Sequence, residues 1–241
     1  MAVIFLESKD NAKIKHLRGL IELNSARKKH QQTVLEGNHL CLAWLQQQKK
    51  IFSLFTTEQA LEHPDLQEVF ELYNSHIFVI SEVLYKDLST LGTTLPCLAI
   101  IDLPQNSQNI DFSVDTLILE NVQDPGNVGT LLRSAAAANI KQVICTQGSA
   151  RLWSPRVLRA GMGAHFSLNC FENMTLEDIL PQFPIPVLAT SSHRSTSLYQ
   201  QDLTQPCVWI LGNEGNGVTE FALEHAQAVS IPHPGGQESL N

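Results

Sequence analysis

Cysteine is scarce and scattered. Cys41, Cys97, Cys145, Cys170 and Cys207 are odd in number and form no C-x-x-C pair. That spacing argues against both a disulfide framework and a zinc site; it fits a reducing cytosol in which the thiols serve as small buried apolar groups. The nine histidines contain no H-x-x-x-H or H-E-x-x-H pairing, so no metal is expected. Long apolar runs are missing too. The stretch Cys97–Ile101 is strand-sized, far short of the ~18 residues of a membrane span. The opening Met1-Ala-Val-Ile-Phe-Leu lacks a basic flank and meets Glu7 at once, unlike a secretory signal, so a cytoplasmic protein is expected. Glycine (13) and proline (11) are too few for a collagenous or low-complexity chain.

What is present is globular: 241 residues, 43% of them hydrophobic. This length suits one large domain or two of roughly 100–150 residues. The net charge of −8 is unevenly spread. Residues 1–50 carry nine Lys/Arg against four Asp/Glu, whereas residues 51–126 carry one (Lys86) against twelve. A basic start on an acidic chain suggests a localised anionic partner such as a nucleic-acid backbone. From charge alone, a solvated helix face is the simpler explanation.

Ile14, Leu17, Leu20 and Ile21 fall at helical spacing and predict a helix over 10–23, with Asp10 or Asn11 as its cap. Lys13, Lys15 and Arg18 decorate it, and Arg27, Lys28 and Lys29 fall in the turn that follows. Thr33–Glu36 reads as a strand and Gly37-Asn38 as the start of a second helix; strands follow at 51–57, 77–80 and 97–101. The polar stretch 102–114 reads as a linker between a first domain, 1–101, and a second, 115–241. In the second domain short apolar strands at 116–119, 142–145, 187–190, 207–211 and 229–231 alternate with helices at 127–139, 155–160 and 219–226. This is the pattern of an α/β domain whose parallel sheet is covered on both faces.

Three segments carry chemistry. In Glu120-Asn-Val-Gln-Asp-Pro-Gly-Asn-Val-Gly-Thr-Leu-Leu-Arg133, a strand runs through a turn into a helix with Asn127 as a natural N-cap. Arg133 sits near the strand's carboxyl end, where open α/β sheets bind ligands. In Trp209-Ile-Leu-Gly-Asn-Glu-Gly-Asn-Gly-Val218, a buried strand enters a loop of three glycines that permits close approach of a ligand. Its order, G-x-x-G-x-G, is neither the dinucleotide fingerprint nor a P-loop, which disfavours a nucleotide-cofactor oxidoreductase. The third segment, Val229-Ser-Ile-Pro-His-Pro-Gly-Gly-Gln-Glu-Ser-Leu-Asn241, passes from a strand into a Pro/Gly loop.

Taken in order, these segments resemble the three motifs of the SpoU (TrmH-type) RNA ribose 2′-O-methyltransferases of the SPOUT class. The matching pieces are Asn127-x5-Arg133, Leu211-Gly-Asn-Glu-Gly-x-Gly217 and Ile231-Pro…Glu238-Ser-Leu-Asn241. Arg159-Ala-Gly-Met-Gly-Ala164 is similar to the stretch between the first two motifs. The basic start with Glu36-Gly37 resembles the small L30e-like substrate-binding domain of many members.

The resemblance implies an α/β second domain with a deep trefoil knot, S-adenosylmethionine as cofactor, rRNA or tRNA as substrate, and a homodimer whose site combines both subunits. It implies cofactor contacts from Gly212, Ile231, Leu240 and Thr190, and polar functional roles for Asn127, Arg133, Glu214, Ser239 and Asn241. Lys13, Lys15, Arg18, Arg27, Lys28 and Lys29 are the expected RNA-binding residues. Family members continue past the third motif into a C-terminal helix, so the sequence is expected to be shortened at that end. The rival expectation is a non-catalytic RNA-binding relative of the same fold.

Overall fold

The computed structural model describes residues 2–90, 95–104, 109–191 and 196–232. The chain forms two compact units, Met1–Gln105 with Trp153–Gly163 and Asn106–Leu152 with Ala164–Asn241. Residues 153–163, which the sequence reading assigned to the second domain, therefore cluster with the first.

The first unit opens with β1 (Ala2–Leu6), a strand absent from the sequence reading, followed by α1 (Ala12–Glu22) and α2 (Asn24–His30). Asn11, rather than Asp10, caps α1 by accepting from the Lys13 amide. The helix turns Ile14, Leu17 and Leu20 into the core, the outcome expected of their spacing. The segment read as a basic turn is the helix α2. Next come β2 (Gln32–Glu36), α3 (Asn38–Gln46), β3 (Ser53–Thr57), α4 (Pro64–Tyr73), β4 (His76–Ile80), α5 (Glu82–Leu88) and β5 (Leu98–Asp102). The sheet order is β1-β4-β3-β5-β2. The first three strands are parallel, and β5 is antiparallel to both β3 and β2. Val34, Phe55, Phe78 and Ile100 meet the apolar face of α1 beneath it.

The second unit contains β6 (Thr116–Leu119), α6 (Pro125–Ala137) and β7 (Gln142–Thr146). The chain then supplies α7 (Pro155–Gly161) to the first unit, where it packs on the edge strand β2. It returns through β8 (Asn169–Met174), α8 (Leu176–Ile179), β9 (Val187–Thr190), β10 (Thr196–Ser197), β11 (Val208–Leu211), α9 (Glu220–His225) and β12 (Gln227–Ser230). All neighbours in the order β10-β12-β9-β11-β6-β7-β8 are parallel. Every residue of β6 and β7 is buried, as a parallel strand covered on both faces requires. Ile118, Ile144, Ala189, Val208 and Ile210 form the sheet's core with Leu176, Ile179 and Ala222 from the helices.

All five cysteines are buried and free. Burial pushes the Cys170 thiol up to about 12 and that of Cys145 well above the ordinary range, which leaves them as unreactive packing groups. No helix among the described residues is long and apolar enough to cross a membrane.

Candidate active site

The site lies where parallel strands of the second unit end. Sheet register puts Ala189 beside Ile210, Val229 beside Thr190 and Leu211 beside Leu119. The carboxyl ends of β12, β9, β11 and β6 consequently form one edge, and Ile231, Thr190, Gly212 and Glu120 are the residues ending or following those strands. Open parallel sheets bind ligands along this edge.

Each element meets the edge for a local reason. The helix α6 starts at Pro125, whose fixed φ suits the first helical position. Asp124 is its N-cap, with Oδ1 accepting from the Asn127 amide at 2.8 Å. The assignment of Asn127 as the cap is thereby corrected. Asn127 is the third helical residue, which releases its side chain for other work. Its Nδ2 donates to Glu214 Oε1 at 2.6 Å, across 87 positions of sequence.

Glu214 is carried by the loop that leaves β11. Asn213 N donates to Gly217 O at 3.0 Å and Gly217 N to Asn213 O at 2.8 Å, closing a tight turn. Asn213 Oδ1 accepts from the amides of Gly215 and Asn216, and its Nδ2 donates to Asn121 O at 3.2 Å. Gly212 is dictated by this closure, because a Cβ there would lie 2.2 Å from the Gly217 backbone. Gly217 itself adopts φ +68°, a region that favours glycine. The sequence pattern showed three glycines but not which of them the backbone needs.

Thr190 is half-buried, and its hydroxyl donates to Ile210 O at 3.3 Å. Ile231 leaves its side chain 48% exposed just past β12, an apolar surface at the ligand edge. Arg133 is exposed on α6 and makes no hydrogen bond or ion pair among the described residues. Six residues separate it from Asn127, about 120° around the helix and roughly 9 Å along it, so the two do not share a face. The structure thus joins Asn127 to Glu214 but brings Arg133 to neither. Ser239, Leu240 and Asn241 lie outside the described residues.

The basic residues of the first unit divide sharply. Arg27 is buried, and its Nη1 donates to Leu20 O at 2.7 Å and Ile21 O at 3.2 Å. It closes the carboxyl end of α1 and is withdrawn from the expected RNA-facing set. Arg18 is half-buried and paired with Glu22 and Asp87. Lys15 pairs with Asp10 at 2.9 Å, and Lys13 stands over the Phe78 ring at 4.6 Å. Both remain exposed, as do Lys28 and Lys29. The first unit also has a cleft of about 350 Å³, formed partly by Phe5, Leu6 and Ile80 and rimmed by Glu7, Glu58 and Glu82. Those carboxylates repel phosphate, which makes it a poor nucleic-acid groove.

A hub that sequence reading missed links two of the motif fragments. Buried Glu36 accepts from Ser89 Oγ at 2.5 Å and from the Thr90 amide at 2.9 Å. Arg159 Nη1 donates in turn to Thr90 O at 3.0 Å and Oγ1 at 3.1 Å. Thr33 Oγ1 donates to Trp153 O at 2.7 Å. Together these bonds hold α7 against the first unit.

The fold and edge define an α/β protein in which a glycine loop and a helix start converge at the carboxyl ends of a parallel sheet. Residues 116–241 match the SpoU rRNA Methylase family, and the chain belongs to that family. It is 31% identical to an uncharacterized tRNA/rRNA methyltransferase of Synechocystis sp., over 98% of this chain and 88% of that protein. It is 26% identical to the 23S rRNA (guanosine(2553)-2'-O)-methyltransferase RlmP of Bacillus subtilis, over 98% and 93% respectively. Among solved structures, the SpoU methyltransferase AviRb of Streptomyces viridochromogenes, in complex with AdoMet, superposes with a TM-score of 0.86. The two sequences are 20% identical, covering 96% of this chain and 92% of AviRb, so that likeness speaks to the fold.

Proposed function

We propose that the chain transfers the methyl group of S-adenosylmethionine to a ribose 2′-hydroxyl of rRNA or tRNA. The observation that carries this reading is the 2.6 Å bond between Asn127 and Glu214. It joins the first and second motifs of the SpoU family at the ligand edge of the sheet.

The residues present fit the cofactor. Gly212 keeps the β11 loop tight against the edge, Ile231 offers an apolar face, and Thr190 ends the strand between them. With Leu240 they are the residues that would hold S-adenosylmethionine, which supplies a methyl group already activated by a sulfonium. Bound there, it would supply that methyl to the ribose 2′-oxygen, leaving S-adenosylhomocysteine, with the hydroxyl proton passing to solvent. Holding both reactants in line supplies much of the rate without covalent catalysis.

The guanidinium of Arg133 offers five donors and no acceptor, so it is unsuited to be the base. Its role in this reading is to orient phosphate and hydroxyl with a planar fork of donors, assisted by Ser239 and Asn241. Glu214 and Asn127 keep the cofactor edge in shape. The exposed position of Arg133, on a different face of α6 from Asn127, suits a homodimer whose site combines both subunits. Residues 1–101 act in this reading as an L30e-like RNA-docking domain, the second domain carries a trefoil knot, and the protein works in the cytoplasm without a metal.

Isothermal titration followed by single-turnover transfer of labelled methyl to transcribed rRNA or tRNA tests the proposal. Micromolar-range binding of S-adenosylmethionine and ribose-specific labelling are expected. Binding of NAD instead would overturn the reading. Binding of cofactor and RNA without transfer would leave a non-catalytic relative.

A further inference from the structure

Glu120 is a buried carboxylate, 5% exposed, with no ion pair among the described residues. A buried charge without a cation is costly unless hydrogen bonds compensate it. Here they come from one residue, Thr219. Its amide donates to Glu120 Oε2 at 2.9 Å and its hydroxyl to Oε1 at 2.6 Å. The same hydroxyl accepts from Ala222 N at 3.3 Å and so caps α9. The Glu120 amide, for its part, donates to Leu211 O at 2.8 Å, joining the ends of β6 and β11.

These bonds fix the far end of the loop that carries Glu214. Asn213 secures the near end through Asn121 O. Residue 121 is itself held, since its amide donates to Thr146 Oγ1 at 3.0 Å and the next amide to Ser149 Oγ at 3.2 Å. Residues 120–122 thus form a fixed base from which loop 212–218 is suspended at both ends. Between the two attachments stand Gly212 at the strand edge and Glu214 on Asn127.

We propose that Glu120 is a positioning residue for this site. Its two oxygens, shared between the amide and hydroxyl of Thr219, set the shape of loop 212–218 and hence the cofactor edge at Gly212 and the Glu214–Asn127 contact. An apolar side chain would fill the same space more cheaply, and neutral packing alone does not call for a carboxylate there. The consequence for transfer rests on the methyltransferase reading, whereas the effect on loop shape does not.

The test uses the full chain with Glu120→Ala, Glu120→Gln, Thr219→Val and the Glu120→Ala/Thr219→Val double variant. Three quantities are measured: amide hydrogen exchange of 213–218 without cofactor, S-adenosylmethionine affinity, and single-turnover transfer. In Glu120→Ala, exchange should rise in that loop but not in β6 or β7, and cofactor affinity should fall about tenfold or more, the scale expected of a misplaced positioning element. Glu120→Gln should retain most of both, because its amide oxygen takes the Thr219 N–H and its nitrogen can donate to Oγ1. Thr219→Val should move the same quantities in the same direction, and the double variant should be no worse than Glu120→Ala. Unchanged loop exchange with cofactor affinity within about twofold of wild type would overturn the proposal, as would additive effects in the double variant. Failure of the wild type to bind S-adenosylmethionine would sink the functional reading instead, with loop exchange still deciding the role of Glu120.

Discussion

Charged and polar side chains of one type serve different ends in this protein. Arg27 and Lys28 are neighbours in sequence, yet one is buried on two carbonyls and the other is exposed. Arg27→Ala should cost about 2 kcal/mol, the scale of a charged hydrogen bond to buried backbone acceptors. Lys28→Ala should stay within about 0.5 kcal/mol, and urea unfolding of the two variants checks the contrast. Arg133 is the opposite case, an exposed guanidinium with no structural partner to lose among the described residues. Arg133→Ala should abolish methyl transfer while leaving the unfolding midpoint and cofactor affinity near wild type, and Arg133→Lys should recover little. Near-normal single-turnover rates in the Ala variant would remove it from the mechanism. His165 has a different sensitivity. Burial lowers its pKa to about 4, below the value of about 6.5 expected in the unfolded chain. The unfolded state therefore binds the proton first. Stability should be lost as pH falls from about 6.5 towards 4, by on the order of 3 kcal/mol, and a His165→Asn variant should show a shallower decline over that window. Sequence showed each of these residues but not its surroundings. Arg27 lay within a run of cations, and only the end of α1 distinguishes it from Lys28.

At the level of elements, the segments with strong periodicity were legible and their boundaries less so. α1 followed from Ile14, Leu17 and Leu20, and the buried parallel strands from their unbroken apolar runs. The start of α6 is ambiguous in sequence because Asp124 and Asn127 are both good cap formers; Pro125, between them, decides the matter by favouring the first helical position. β1 is a five-residue apolar run near the start of the sequence, with no turn signal ahead of it to mark a strand. The Asn127–Glu214 pair spans 87 positions, a distance no local spacing can bridge, so the sequence marks each residue on its own but not their contact. Asp124→Ala should destabilise α6 by about 1 kcal/mol, and because the same cap orients Asn127, cofactor affinity should fall with it; thermal unfolding and titration on one sample measure both. Gly212→Ala should be far more damaging. The nearest obstacle is backbone at 2.2 Å rather than a flexible side chain, so loss of cofactor binding is expected even where circular dichroism shows the second unit folded.

For the whole molecule, uneven charge takes on meaning only after the buried and half-buried cations, Arg27 and Arg18, are set aside. Lys13, Lys15, Lys28 and Lys29 remain exposed on the first unit of an acidic chain. Reversing these four to Glu should weaken RNA binding and flatten its dependence on salt while sparing cofactor affinity. Unchanged RNA affinity and salt slope would reduce them to a solvated face. Composition revealed that imbalance, but not the loan of α7 from one unit's sequence to the other.

That loan constrains the order in which the molecule can be made. During synthesis, residues 2–104 emerge before α7 exists, with β2 at the edge of its sheet. The helix that packs on that edge is made only after β6, α6 and β7. The first unit is therefore finished by a segment born in the middle of the second, and the nascent protein carries that strand edge without α7 while residues 106–154 are made. Expressed as residues 1–104 alone, the unit should prove prone to self-association.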